Sequence, residues 1–206
     1  MYLKELSDKI WTTKNARFMA AKRMHRRHVS STVSMALLSA SVIAVNLLAF
    51  LNISEAQKTM ITIVTVVLSV FALVMSLIIT LLRYESHENN YHQCGIELDQ
   101  LNQRLKIRIE ELTKGQPKVD EIQSPTEDNT KYLDEYSGIL KKFNLNHSEL
   151  DFLYSSMLSV KSKQQGMFKR IWCWFRWNVW DVNILYWLIA VVPIVIVVLF
   201  LIKSAI

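Results

Sequence analysis

Three stretches of the chain are apolar and free of charge: about Val33 to Leu51, Met60 to Leu82 and Val182 to Ile202. Each has roughly 19 to 23 residues, and at about 1.5 Å of helical rise per residue each spans a hydrocarbon core of about 30 Å. Buried helices of a soluble domain would also be apolar, but three such runs would swamp so little remaining core. The pattern predicts three transmembrane helices. The first run begins too far along, behind too long a charged stretch, for a cleaved signal peptide, so an uncleaved anchor is expected.

Between these runs the spacing is helical. Residues 3–28 contain no Pro or Gly, and Leu3, Leu6, Ile10, Trp11 and Phe18 mark a loose apolar face. Beyond the second run Tyr84, Tyr91, Leu98, Leu105 and Leu112 recur every seven residues, with His87, Cys94 and Leu101 three positions after the first members. That is a heptad seam, broken at Arg108, on a helix expected to continue straight out of the second span. It needs a partner: the N-terminal helix, a later helix, or the same helix of another subunit. Residues 113–130 hold Gly115, Pro117 and Pro125 and read as a loop. A helix from about Glu127 to Phe143 follows, with Tyr132, Leu133, Tyr136, Ile139, Leu140 and Phe143 on its apolar face. Asn146 and Glu149 resemble a capping box before a last helix using Leu150, Leu153, Tyr154, Met157 and Leu158.

The expected fold class is therefore an all-α membrane protein. Its parts are a basic amphipathic helix (1–28), a two-transmembrane hairpin (29–83), a cytoplasmic helical, coiled-coil-like domain (84–168), an interfacial segment (169–181) and a third transmembrane helix (182–202). Scarce turn formers, 4 Gly and 3 Pro in 206 residues, exclude a hairpin-rich β fold, and two cysteines cannot build a disulfide framework.

Locating the charge orients the spans. The net charge of +6 reads first as a sign of nucleic-acid binding. Yet residues 1–28 carry 8 basic and 2 acidic side chains, residues 83–168 carry 11 basic and 14 acidic, and the rest of the excess lies at 169–206. All of it flanks apolar runs. The positive-inside rule places the N-terminus, the 83–181 region and the flank of the third run in the cytoplasm, and no direct nucleic-acid contact is expected. Arg23, Arg26 and Arg27 before the first run, and Lys169, Arg170, Trp172, Trp174, Arg176, Trp177 and Trp180 before the third, are the expected membrane-interface residues, with rings at headgroup level and cations at phosphates. The N-terminal helix either lies on anionic lipid or packs on the cytoplasmic domain.

No enzyme signature occurs: no P-loop, GxGxxG, GxSxG or HExxH. No catalytic residue, cofactor or metal site is expected. His87, His92 and Cys94 do not share one tight helical face and lack a fourth ligand, and His25 and His28 lie in a cationic run. Cys173 is a candidate for palmitoylation or a small apolar filler.

The polar residues inside the runs are more informative. Thr62, Thr65, Ser69, Ala72, Ser76 and Thr80 step by 3, 4, 3, 4 and 4, a stripe within about 80° of helical arc. It either packs helices closely through small residues or lines a water-filled path in an assembly. In the first run Ser30, Ser34 and Ser41 share one side while Ser39 and Asn46 lie nearly opposite. An amide in mid-span is costly unless paired or hydrated, and this second polar face favours oligomerisation.

IWTTKNARFMAAKRMHRR (10–27), the Ser-rich opening HVSSTVSMALLSASVIAV of the first run, the short loop, and YESHENNYHQCGIELDQLNQRL (84–105) together resemble the SLATT family, over about residues 5–112. These are two-transmembrane effector domains of prokaryotic conflict systems. The resemblance implies a membrane effector triggered by a partner, such as a nucleotide second-messenger synthase or a reverse transcriptase, that assembles into a homo-oligomeric pore in the inner membrane. The competing expectations are a scaffold that recruits a soluble partner through the 84–112 seam, and a sensor whose cytoplasmic helices bind a ligand, with Arg104, Lys106 and Arg108 as candidate anion contacts.

Overall fold

A computed structural model of the chain describes residues 2–48, 50, 54–114, 127–145, 151–153, 155, 168, 171, 172, 175, 186–188, 191 and 195. The long elements described are all helical: α1 (Tyr2–Leu48), α2 (Glu55–Leu82), α3 (Tyr84–Lys114) and α4 (Glu127–Phe143). No strand occurs among the described residues. Uninterrupted helix formers carry α1 through both the basic N-terminal segment and the first apolar run. A capping box starts α2: the Gln57 amide donates to the Ser54 hydroxyl and the Ser54 amide to the Gln57 side chain, satisfying two donors that a helix start leaves orphaned. α3 reaches Lys114 and α4 begins at Glu127, inside both ends of the predicted loop, and α4 has the range its spacing predicts.

The chain forms two compact units, Met1–Met24 with Glu85–Trp177, and His25–Tyr84 with Asn178–Ile206. In the first unit the α3 seam finds its partners within its own chain. Leu3, Leu6 and Ile10 of α1 close with Cys94, Leu98, Leu101 and Leu105 of α3 and Tyr136 and Ile139 of α4. The aromatic and branched side chains Tyr132, Leu140, Phe143, Ile109 and Leu112 pack around them. Polar pairs fix the register: Ser7 donates to Asn102 at 2.9 Å inside the core, Lys14 meets Asp99 at 2.7 Å, and Arg104 of α3 pairs with Glu135 of α4. Each fully buried Leu or Ile contributes about 1.5–3 kcal/mol, so this apolar cluster holds the unit together. Four members of the predicted faces differ. Tyr84, first in the heptad register, belongs to the second unit, and Trp11, His87 and Leu133 are exposed.

Two local features were not legible as patterns. The helix leaving the second apolar run is not continuous: Arg83 adopts the left-handed conformation (φ 45°, ψ 42°), and its amide closes back on the Thr80 carbonyl at 3.3 Å, ending α2. Asn144 ends α4 in the same way (φ 44°), its amide bonding the Leu140 carbonyl at 3.0 Å. Left-handed backbone costs an L-residue roughly 1–2 kcal/mol, and Asn tolerates it better than Arg. The last predicted helix lies mostly outside the described residues. Of its described members Leu153 is exposed, whereas Asp151 is fully buried.

Gly95 sets how closely α1 and α3 approach. A Cβ there would stand 2.8 Å from Cε1 of Phe18, inside the contact limit. Gly95→Leu is expected to cost about 1–3 kcal/mol by overpacking, read as a lower thermal midpoint of the detergent-solubilised chain. Phe18→Ala in the same chain should recover much of that loss.

Candidate functional site: the polar faces of the transmembrane hairpin

The second unit is built from apolar side chains that mostly face outward. Val66, Val67, Val70, Phe71, Leu73, Val74, Leu77, Ile78 and Leu81 of α2 are all exposed, and only 11% of the helix's most apolar window is buried. A soluble core helix would be largely covered. Among the described residues, two helices are long and apolar enough to cross a membrane: α1 and the one formed by α2 with its continuation. α1 buries Ser31, Ser34, Leu38, Ser41 and Val45, a 3–4 repeat forming one face. Leu38 packs with Tyr186, and Met35, Ala72, Met75, Ile79 and Tyr84 surround the two. Small residues on that face let the backbones approach, as membrane helix packing requires. Tyr84 and Tyr186 join hydroxyls at 2.7 Å. Tyr186 is the described residue of the third apolar run that faces inward, while Trp187, Leu188, Val191 and Val195 are exposed. The remainder of that run lies outside the described residues.

The hydroxyl stripe of α2 divides. Thr65 is buried, and its hydroxyl donates to the carbonyls of Ile61 and Thr62 at 3.0 and 2.9 Å. Thr62, Ser69, Ser76 and Thr80 are exposed, and Ala72 sits half-buried between the two sides. Thr62, Ser69 and Thr80 donate to carbonyls four residues back at 3.0, 2.7 and 2.9 Å. Their protons are satisfied inside the helix while their lone pairs stay available outward. Ser39 of α1 and Ser76 of α2 line one groove of about 460 Å³ with Met35, Ala36, Ala72, Leu73 and Leu77. Asn46 is exposed, and its side chain makes no hydrogen bond among the described residues. The sequence placed Ser30, Ser34 and Ser41 nearly opposite Ser39 and Asn46: Ser34 and Ser41 are buried, Ser30 is half-buried, and Ser39 and Asn46 are exposed. It missed Ser31, which is fully buried and donates to the His28 carbonyl at 2.8 Å.

The expected interface residues are placed unevenly. Arg23 is turned into the first unit, where it pairs with Asp151 at 2.8 Å, its side chain only 9% exposed. Burial against a carboxylate leaves it little reach to a headgroup. Arg26 and Arg27 are half-buried. Trp172 is exposed and stacks on Phe175 with ring centroids 6.4 Å apart. Lys169, Arg170, Trp174, Arg176, Trp177 and Trp180 lie outside the described residues. Of the candidate anion contacts on α3, Arg104 is held by Glu135 and Arg108 by Glu111, and Lys106 is exposed.

The comparisons with known proteins agree with this architecture. The model of one family, SMODS and SLOG-associating 2TM effector domain family 5, matches residues 1–199. The chain belongs to that family. The match takes in the third apolar run as well as the hairpin, so the SLATT resemblance carried by residues 5–112 extends nearly end to end. No curated protein and no solved structure matches the chain significantly.

In this SLATT chain the first unit holds two titratable groups that folding alters. Burial pushes the Cys94 thiol above its ordinary value of 9.0, with the Arg17 guanidinium working against it. Burial raises the Tyr91 hydroxyl in the same way. A raised value means that the folded chain keeps its proton where the unfolded chain releases it. The stability this contributes is therefore full below the ordinary thiol range and declines as pH rises through it. We expect the unfolding free energy to fall above about pH 9, and Cys94→Ala to flatten part of that slope in chemical denaturation of the detergent-solubilised chain.

Proposed function

We propose that this chain is a non-enzymatic membrane effector of a bacterial antiviral or conflict system. It is homo-oligomeric in the inner membrane with its N-terminus cytoplasmic, and a partner triggers it to open an ion path through the bilayer. The partner would be a defence-system protein such as a nucleotide second-messenger synthase or a reverse transcriptase. The 182–202 run is the third span in this reading, and the Trp- and Arg-rich 169–181 segment is its interfacial belt.

The observation that carries the reading is the outward placement of Thr62, Ser69, Ser76 and Thr80 on a helix otherwise exposing Val, Leu, Ile and Phe. A single hairpin packs through Thr65, Leu38 and the buried serines, and leaves this row, with Ser39 and Asn46, uncovered. Hydroxyls whose protons are internally bonded, as those of Thr62, Ser69 and Thr80 are, cost little in lipid, yet they offer oxygens to a hydrated cation when several copies bring the rows together. The scaffold alternative is less well supported, because the α3 seam through which it would recruit a partner is already filled by α1 and α4.

The test is membrane potential in bacterial cells producing the chain together with its trigger. Ser69→Leu with Ser76→Leu should abolish depolarisation at unchanged membrane levels of protein. Thr65→Val, which removes a hydroxyl that is already buried, should leave depolarisation intact. Full depolarisation by the double variant would contradict the proposal.

A further inference from the structure

Within the second unit, one face of α1 is uncovered among the described residues and yet is regularly patterned. Thr32, Ala36, Ser39, Ile43 and Asn46 step by 4, 3, 4 and 3, and all five are exposed. At 100° per residue they fall within about 80° of helical arc, well away from the face that buries Ser34, Leu38 and Ser41. A polar side chain returns at every seventh position, which is the spacing of a seam between two helices. The Thr32 hydroxyl is satisfied by the His28 carbonyl at 2.9 Å. The Asn46 amide makes no hydrogen bond among the described residues. Its depth follows from its neighbours. Ser39 shares a groove with Ala72 and Ser76 of α2. Seven residues further along, with α2 running the other way, Asn46 stands level with about Val67, which is about 10 Å inside the end of the apolar run at Met60.

We propose that this seam is the contact face between copies of the chain, and that the Asn46 amides of two copies hydrogen-bond each other across it. The inference rests on the homo-oligomer proposed above and names the face that builds it. The chemistry of Asn46 selects a second copy as the occupant. Lipid tails offer no donor and no acceptor, so an amide at this depth is costly until another polar group meets it. Copies inserted with the same topology hold the same residues at the same depth, so parallel α1 helices bring Asn46 opposite Asn46. A carboxamide is self-complementary, because each NH2 donates to the carbonyl of the other. The small side chains of Ala36 and Ser39 let the two backbones approach closely enough for that pairing. The seam also borders the groove that Ala36 and Ser39 share with Ser76. A copy seated on α1 therefore lies beside the hydroxyl row of α2, and the contact brings neighbouring rows together.

The test uses the full chain, purified and reconstituted in liposomes without trigger or ion gradient. Single cysteines are placed by Ser39→Cys, Ile43→Cys, Leu37→Cys or Ala44→Cys in a chain whose own two cysteines are replaced by serine, and disulfides are formed with a membrane-permeant oxidant. Leu37 and Ala44 are exposed like the seam residues but lie on another side of α1. Covalent dimers are expected from Ser39→Cys and Ile43→Cys and not from Leu37→Cys or Ala44→Cys. Energy transfer between labelled chains, followed as lipid is added, reads the strength of association. Asn46→Leu should raise the apparent dissociation constant about tenfold, and Asn46→Gln, which keeps an amide, should restore most of the loss. Equal cross-linking at all four positions, no cross-linking at the seam, or association of Asn46→Leu equal to that of the native chain would each overturn the proposal. The pore is judged separately, by depolarisation in cells. Seam cross-links in a chain that never depolarises a cell would count against the pore and uphold the seam, whereas depolarisation by a chain without seam cross-links would do the reverse.

Discussion

A helix that turns Val67, Phe71, Val74 and Ile78 away from its own neighbours needs hydrocarbon around it. That single requirement organises the second unit. Water would charge about 25 cal/mol for every Å² of this surface, whereas a bilayer accepts it and instead demands that each backbone group be bonded within the helix. α2 meets that demand, and the hydroxyls of Thr62, Ser69 and Thr80 meet it again by returning their protons to carbonyls of the preceding turn. Because lipid is as apolar as leucine, the hairpin cannot be held by hydrophobic burial between its helices. It relies on the close fit around Leu38, where Ala72, Met75 and Ile79 of α2 pack, on a face of α1 that also buries Ser31, Ser34 and Ser41.

The first unit obeys the opposite solvent. Its leucines close inward and its charged residues pair across helices, as Lys14 does with Asp99 and Lys142 with Glu97. α1 serves both units, apolar on one face towards α3 at its start and nearly free of charge beyond His28. The exception to the ordinary soluble pattern is the ionic cluster around Tyr91. Ion pairs of this kind gain little stability over an apolar core of the same volume.

How much of this was legible from the sequence depends on the kind of signal. Charge-free length gives the apolar runs directly, and period seven gives the face of α3 that is buried at Leu98, Leu101 and Leu105. Periodicity names a face but not its partner, so it left three partners open for that seam. The choice of α1 and α4 comes from tertiary packing. The same limit explains Thr65: it shares a stripe with Ser69, yet lies on the covered side of the stripe's edge. Arg23 looked like a headgroup contact because basic residues near a span usually are; its partner Asp151 is far off in sequence and carries no local mark. The break at Arg83 had no Gly or Pro to announce it. The candidate site was thus visible as residue types and spacing, while the division between packed and exposed hydroxyls required coordinates.

Collision accessibility of spin labels tests the account at its centre. Single nitroxides would be placed at Val67, Phe71, Val74 and Ile78 of α2, and at Gln103 and Ile107 of α3, in a chain with both cysteines replaced by serine and reconstituted in bilayers. The account predicts high access to oxygen and low access to a water-soluble nickel chelate at the four α2 positions, with the reverse at the two α3 positions. Chelate access at Val74 equal to that at Ile107 would contradict it.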